Sequence, residues 1–319
     1  MNLPSHLPIR RLPRPAAHDL RSTWRQATAP RIERALRRSQ GRSPGGWYVV
    51  GASGDLPRGR SLVRIVAGAE IALWRSGDQV LAGPGACPHL GARLDGCVVD
   101  AGEILCRWHG LRLPSEWPRG WATFPALDDG VLLWVRPPGQ EPPLPAPVPA
   151  TRPERETSLV TVYTRRARCE PADVVANRLD PWHGAWFHPY AFSHLVVDDD
   201  ASTDDRLVVD VTFRLNRTWG VPVRAEFTCP DARTIVMRII DGEGTGSVVE
   251  THATPLGRGA GGPVTVITEA TLASSDRPGF AAARRLGPLL RPLLRHTQAR
   301  LWVDDAEYAE RRYLGREAR

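Results

Sequence analysis

The apolar positions along this chain change their spacing twice. From residue 47 they fall in short runs, 47–50, 62–66, 71–74, 80–82 and 131–135, separated by Gly, Pro and Asp. Runs of that length bounded by turn-forming residues predict the strands of a small all-β unit. In "EPADVVANRLDPWHGAWF" the spacing becomes helical. Five longer strand-like runs follow at 207–215, 221–229, 234–240, 247–255 and 264–273. The chain then closes on an Arg-, Leu- and Ala-rich stretch, 279–313, that predicts a long helix broken in its first part by Pro288 and Pro292. A curved antiparallel sheet gripping a terminal helix, an α+β layout, suits that order.

Between the two patterned regions, residues 137–153 carry eight prolines in seventeen positions. Such a stretch forms neither helix nor central strand and reads as a stiff, extended linker. The expected organisation is therefore a basic N-terminal extension (1–45), an all-β unit (46–136), the linker (137–153) and a second unit (154–319). The extension is Pro- and Arg-rich, with a short helix expected over 19–38 and interrupted by Pro30.

Composition narrows the class. At 42% hydrophobic and 24% charged residues the chain is of the soluble globular type. No apolar run approaches the roughly 18–20 residues of a membrane span. The first thirty residues hold no apolar core of a secretory signal, and five cysteines are an odd count. Both point to a reducing compartment, the cytoplasm, rather than to a disulfide framework. The net charge of +7 comes with 42 basic residues that are all Arg. Nucleic acid is not expected as a partner, because no recognition motif or aromatic–basic platform accompanies that charge.

Three of the five cysteines lie within residues 87–106. Cys87-Pro-His89 is followed sixteen residues later by Cys106-Arg-Trp-His109. Two thiolates and two imidazoles on two short loops suit a structural zinc. They equally allow one iron to take both thiolates and a second iron both imidazoles, bridged by sulfide. Zinc fingers usually pair like with like and continue into a helix; here each loop carries one of each, Gly91 and Gly110 follow, and strand patterns surround both. At these residues the chain resembles the Rieske [2Fe–2S] motif, which implies Cys87, His89, Cys106 and His109 as cluster ligands. The high-potential respiratory variants join the two loops by a disulfide and bond a Ser to the cluster. Here those positions are Ala92, Trp108 and Leu111, so the resemblance is to the lower-potential oxygenase and ferredoxin type. Cys97, outside the motif, is expected to be packed.

Downstream, "NRLDPWHGAWFHP" reads Asn177, Asp180, His183, His188. Histidines five apart sit about 140° apart on an ideal helix, so they share a face only where the helix loosens, as Gly184 and Pro189 allow. Taken with the upstream motif, the stretch resembles the iron-binding segment of the Rieske non-haem iron ring-hydroxylating oxygenase family. The resemblance implies an all-β Rieske domain followed by an α+β helix-grip (Bet v 1/START-like) catalytic domain. It also implies His183 and His188 as ligands of a mononuclear Fe(II), with one carboxylate completing the set. Asp180 matches a carboxylate that bridges this site to a Rieske histidine, here His109, of a neighbouring subunit. Asn177 matches a polar position beside the iron. The third ligand is expected from "RLWVDDAEYAERR", where the family's D-x4-E spacing fits Asp305 with Glu310; Asp304 is the neighbouring alternative. His252 reads as a hydrogen-bonded strand histidine rather than a pocket residue, and His194 lies nearby in sequence.

What the resemblance implies is a terminal oxygenase that uses O2 and oxidises an apolar aromatic, steroid or isoprenoid-like substrate by hydroxylation, demethylation or desaturation. The chain has no dinucleotide-binding G-x-G-x-x-G and no plant-type C-x4-C-x2-C. Electrons are therefore expected from a separate ferredoxin or NAD(P)H-dependent reductase. A head-to-tail homo-trimer is expected from the bridging role of Asp180. The Leu/Arg alternation over 280–302 also suits rest on a membrane surface. Two other readings stay open: a Rieske electron carrier whose second domain only binds a ligand, and a zinc-stabilised lipid-binding module.

Overall fold

The computed structural model describes residues 9–12, 22–117, 120–139 and 141–318. β1 (Arg10–Arg11) and α1 (Ala29–Gln40) come first. The all-β unit runs β2 (Tyr48–Ala52), β3 (Leu62–Val66), β4 (Ala69–Ser76), β5 (Gln79–Pro84), β6 (Val98–Asp100), β7 (Glu103–Leu105) and β8 (Arg112–Leu113). It closes with β9 (Glu116–Trp117), β10 (Trp121–Ala122), β11 (Ala126–Asp128) and β12 (Leu132–Val135). The strands make three three-stranded antiparallel sheets, β3-β4-β5, β11-β12-β2 and β6-β7-β8, with β9 and β10 paired beside them. The five runs read from the sequence are β2, β3, β4, β5 and β12; the short strands β6 to β8 have too few residues to show a period.

The second unit is one antiparallel sheet of β13 (Leu159–Ala167), β14 (Phe192–Thr203), β15 (Arg206–Arg214), β16 (Trp219–Asp231), β17 (Thr234–Gly242), β18 (Val248–Gly259) and β19 (Gly262–Ala273). Its order is β13-β19-β18-β17-β16-β15-β14, with β1 joined to β16. The sequence-consecutive strands β13 and β14 are thus the two opposite edges. Their connection has to cross the whole sheet, and it does so as α2 (Pro171–Arg178), a 3₁₀ turn at Pro181–His183 and α3 (Gly184–Phe187). α4 (Phe280–Arg285) and α5 (Gly287–Glu317) follow the sheet, and α5 lies against β13 and α2. This is the expected helix-grip arrangement. β13 and β14 themselves were not anticipated as strands: the apolar run of β14 is cut short by Asp198–Asp200, and that of β13 stops at the pair Arg165–Arg166.

Three expectations are corrected. Pro30 opens α1 rather than interrupting a helix, since the first turn has no use for the N–H that proline lacks; residues 19–21 of the expected element lie outside the described residues. Pro288 likewise falls in the first turn of α5, and Pro292 lies inside that helix without ending it. Both are exposed, so a carbonyl left without its helical partner meets water. Leu286, Leu289 and Leu293 are exposed on the same stretch.

Four arginines of the basic N-terminal segment are paired within the chain. α1 buries Ile32, Ala35 and Leu36 against Val175, Ala176 and Leu179 of the second unit. Its arginines meet the acidic β14–β15 hairpin: Arg31 with Asp199 at 2.8 Å, Arg34 with Asp204 at 3.6 Å, and Arg38 and Arg42 both with Asp205. Among the described residues no helix is long and apolar enough to cross a membrane.

The two units share a core: Trp47, Val49, Leu132 and Trp134 of the first pack with Ala270 and Leu272 of β19. Residues 137–153 hold no helix or strand where described, yet their end is pinned. Arg152 donates from Nη1 to Asp129 at 2.8 Å and from Nη2 to Glu250 at 2.8 Å, linking the β unit to the large sheet. Glu250 has no exposed surface, and Arg152 and His252 outweigh its burial to hold its pKa at about 2. His252 is thus the hydrogen-bonded strand residue expected, 3.1 Å from both Glu250 and Thr234.

Arg152→Ala leaves Glu250 charged, buried and without its cation. The expected cost is roughly 3–5 kcal/mol, read as a lowered urea midpoint at pH 7; an unchanged midpoint would show that the ionic clamp contributes nothing net.

Candidate metal centres

The Cys–His loops are two copies of one turn. Cys87 N–H bonds Ala92 O at 2.8 Å and Gly91 N–H returns to Cys87 O at 2.8 Å; Cys106 N–H bonds Leu111 O at 2.9 Å and Gly110 N–H returns to Cys106 O at 2.8 Å. Gly91 and Gly110 close these turns at φ 75° and 70°, in the left-handed region that favours glycine. No neighbour lies within 4 Å of where a Cβ would sit on either, so backbone conformation rather than crowding selects glycine there. The result segregates the donors. Cys87 and Cys106 are buried side by side, and burial pushes the Cys87 thiol up. His89 and His109 are exposed, their rings 4.9 Å apart. Two buried thiols and two surface imidazoles on twin loops fit a cluster with a sulfur-ligated inner iron and an imidazole-ligated outer one. Cys97 is free and buried in the surrounding core.

In the second unit the chain between the sheet edges breaks where its prolines fall. α2 starts at Pro171 and ends at Arg178, and Pro181 opens the 3₁₀ turn that carries His183. His188 follows α3 in a non-helical conformation, φ −119° and ψ 54°. Histidines that an ideal helix would hold about 140° apart thereby reach one point. A Cβ on Gly184 would come within 2.8 Å of Leu195, so this turn presses directly on β14.

α5 supplies the carboxylate. Its inward stripe is Gln298, Trp302, Asp305, Ala306, Ala309 and Tyr313. Asp305 Oδ1 lies 3.2 Å from His183 Nε2 and 2.9 Å from His188 Nε2, and ligand atoms of the three residues fall within 4.8 Å of one another. Two imidazoles and a carboxylate converging from one side suit a mononuclear iron with open positions. Asn177, fully buried, donates to Asp305 Oδ1 at 3.1 Å. Asp180 Oδ2 lies 3.8 Å from His183 Nδ1 and accepts from Tyr308 Oη at 3.0 Å. Asp304 and Asp305 do not compete for one inward position: Asp304 reaches the other nitrogen of His188. Glu310 is not at the site; it accepts from the Arg168 N–H at 2.8 Å. His194 is exposed on β14.

Sequence reasoning missed Arg178, Tyr190 and Tyr308. Arg178 Nη1 is 3.6 Å from Asp305, its guanidinium also pairs with buried Glu269, and it stacks 4.7 Å above Trp302. Each contact joins residues about 90 to 130 positions apart, and no local spacing signals that. The charges interlock. Burial opposes ionisation of Asp305, but His183, His188 and Arg178 outweigh it and hold the carboxyl far below its usual range. Burial likewise opposes protonation of His183, but Asp180 and Asp305 outweigh it and raise its pKa to about 9.

Arg178, 3.6 Å from Asp305, and Phe192, whose ring lies near His188, also line an apolar cavity of about 70 Å³ walled by Leu195, Val211, Phe213, Phe227 and Met237 among others, with Thr251 as its second polar member. Phe192 turns its edge to the His188 ring at 6.1 Å. Trp219 is not part of this lining; it lies half-exposed at the outer end of β16.

Each unit thus carries one donor set that could hold iron, and the comparisons bear on the first of them and on the fold of both. Residues 46–116 match the Rieske [2Fe–2S] domain. Residues 138–319 match the family described as a domain of unknown function (DUF5914), and the chain belongs to that family. No curated protein matches the sequence. Among solved structures, dicamba monooxygenase bound to dicamba is similar at a TM-score of 0.61 and 18% identity, over 86% of this chain and 89% of that one. A 2-oxoquinoline 8-monooxygenase component is similar at 0.56 and 14%, over 90% and 82%. The oxygenase of carbazole 1,9a-dioxygenase in complex with ferredoxin is similar at 0.52 and 13%, over 92% and 84%. At these identities the likeness is one of fold: a Rieske domain joined to a helix-grip domain. The Rieske match removes the zinc-stabilised module from consideration.

The charge network gives a pH dependence. A protonated His183 cannot ligate, so metal binding releases its proton, and affinity for Co(II) should rise by up to about tenfold per pH unit until about pH 9. In the metal-free protein the same group has a raised pKa, so its stabilising contribution is complete below pH 6.5 and lost as pH climbs through about 9. Anaerobic Co(II) titrations and thermal melts between pH 6 and 9.5 check both signs.

Proposed function

We propose that this protein is a terminal oxygenase: it uses O2 and electrons from a separate ferredoxin or reductase to oxidise a neutral, apolar substrate. One observation carries the reading. His183, His188 and Asp305 converge beside an apolar cavity in a chain that also holds a Rieske domain. An electron carrier with a merely ligand-binding second domain has no use for that convergence.

When bound, the cluster supplies single electrons and the iron a place for O2 to react. The chain's own residues do the rest. The aromatic and aliphatic walls of the cavity orient a substrate toward His188 and exclude water. Arg178 is already committed to Glu269 and Asp305, so it offers no unpaired cation to an anionic substrate. Asp180, steadied by Tyr308, faces His183 Nδ1 at 3.8 Å, an ion-pair distance and not a hydrogen bond.

Asp180 Oδ1 is buried and has no hydrogen-bond partner among the described residues. Its neighbours His183 and Tyr308 line an open depression together with Trp186, Phe187, Arg311 and Arg312, and Trp186 and Phe187 are exposed. The Rieske tip exposes Leu90 and Trp108 beside His89 and His109. We read these as the two halves of a head-to-tail contact that closes a homo-trimer and brings His109 of a neighbouring copy to Asp180. Ferredoxin docking is the corresponding expectation for electron entry. Exposed Leu286, Leu289 and Leu293, among arginines at the start of α5, would favour a substrate drawn from a lipid surface.

Anaerobically purified protein should hold about three irons and two acid-labile sulfides per chain, and a His183→Ala/His188→Ala variant about two irons. Two irons in both would sink the oxygenase reading. Asp180→Asn should keep about three irons but slow reoxidation of the reduced cluster by O2 in stopped-flow absorbance; wild-type reoxidation would remove Asp180 from the electron route.

A further inference from the structure

Asp304 and Asp305 are consecutive on α5, so their side chains project about 100° apart, and the His188 ring lies between them. Its Nε2 faces Asp305 Oδ1 at 2.9 Å, and its Nδ1 faces Asp304 Oδ2 at 3.3 Å. Asp304 is held in turn. Tyr190 Oη donates to Asp304 Oδ2 at 2.6 Å and lies 3.4 Å from His188 Nδ1. The Arg300 guanidinium covers the Tyr190 ring at 3.7 Å. With its carboxylate behind the ring, Asp304 is on the wrong side of His188 to be a ligand.

The geometry points to Asp304 and Tyr190 as positioning residues for His188, a Tyr–Asp–His chain that sets which nitrogen of the ring faces the metal. A carboxylate at Nδ1 keeps the proton there and leaves the Nε2 lone pair aimed into the site. The chain is the counterpart of Tyr308–Asp180–His183, whose Asp–His separation is the longer, 3.8 Å against 3.3 Å. The inference rests on the proposed mononuclear site and assigns how its buried histidine is oriented.

The test uses the full chain with its cluster in place, titrated anaerobically with Co(II) and read by dissociation constant and by the Co(II) d–d absorption bands. Asp304→Ala should weaken Co(II) binding by about 10–100-fold and alter the bands. Asp304→Asn, which keeps an acceptor without the charge, should fall between it and wild type. Tyr190→Phe should weaken binding in the same direction by a smaller factor. The Rieske visible spectrum and the thermal midpoint report whether each variant has folded. Should Asp304→Ala not fold, the near-isosteric Asp304→Asn and Tyr190→Phe decide by the same criterion. Wild-type affinity and bands in the folded Asp304 variants overturn the inference alone, provided His183→Ala/His188→Ala abolishes binding. Co(II) uptake that is unaffected by the double histidine variant overturns the site and this inference together.

Discussion

A carboxylate with only 1% of its surface exposed has to be compensated, and Asp305 is the point around which the second unit is arranged. A buried ion without partners is unfavourable by several kcal/mol. The partners come from every element that crosses the sheet: Asn177 and Arg178 from α2, His183 from the 3₁₀ turn, and His188 from the end of α3. What stabilises the metal-free fold is therefore the same set of donors that would hold the metal. In the observed conformation of the connection between the two edge strands these partners meet Asp305, and the ligand geometry follows from it.

A second constraint fixes the two centres within one body. The shared core of Trp47, Leu132, Trp134 and Leu272, with Arg152 joining Asp129 to Glu250, leaves the Rieske unit little freedom against the large sheet. A proline-rich linker would by itself permit motion; a buried ion pair at its end removes it. The Rieske loops then stand on an outer surface with their imidazoles exposed, while His188 and Asp305 are buried and His183 lines an open depression. That division suits electron entry at one surface and chemistry under another.

The arginine content is put to structural use. Arg31, Arg34, Arg38 and Arg42 read in isolation as a basic tail, yet they pair with Asp199, Asp204 and Asp205 and dock α1 on the core beneath. Arg178 neutralises the buried acids, and Arg300 covers Tyr190. The count of 42 basic residues therefore overstates the cations free to meet partners, although the pairing leaves the net charge of +7 unchanged.

The Rieske centre was legible in the sequence because its structure is local. Both loops close through hydrogen bonds spanning four or five residues, so spacing alone carries their geometry. The helix-grip sheet was legible for the same reason: antiparallel neighbours follow one another, and their apolar runs mark them. His183 and His188 could be named from a short motif, and a loosened helix between them was expected from Gly184 and Pro189; that Pro181 opens a separate 3₁₀ turn and that Gly184 presses on Leu195 only the fold shows. Asp305 could be preferred over Asp304 as the third ligand from the family's spacing, but what Asp304 does instead could not be read. Adjacent and chemically identical, they are distinguished only by which side of His188 each meets once α5 docks. Arg178, Tyr190 and Tyr308 were hidden likewise, since ion pairs and hydrogen bonds across 90 to 130 residues leave no period in the chain. Local order is written in spacing; long-range pairing is chosen by packing, where a buried charge accepts only the partner that the docked elements bring to it.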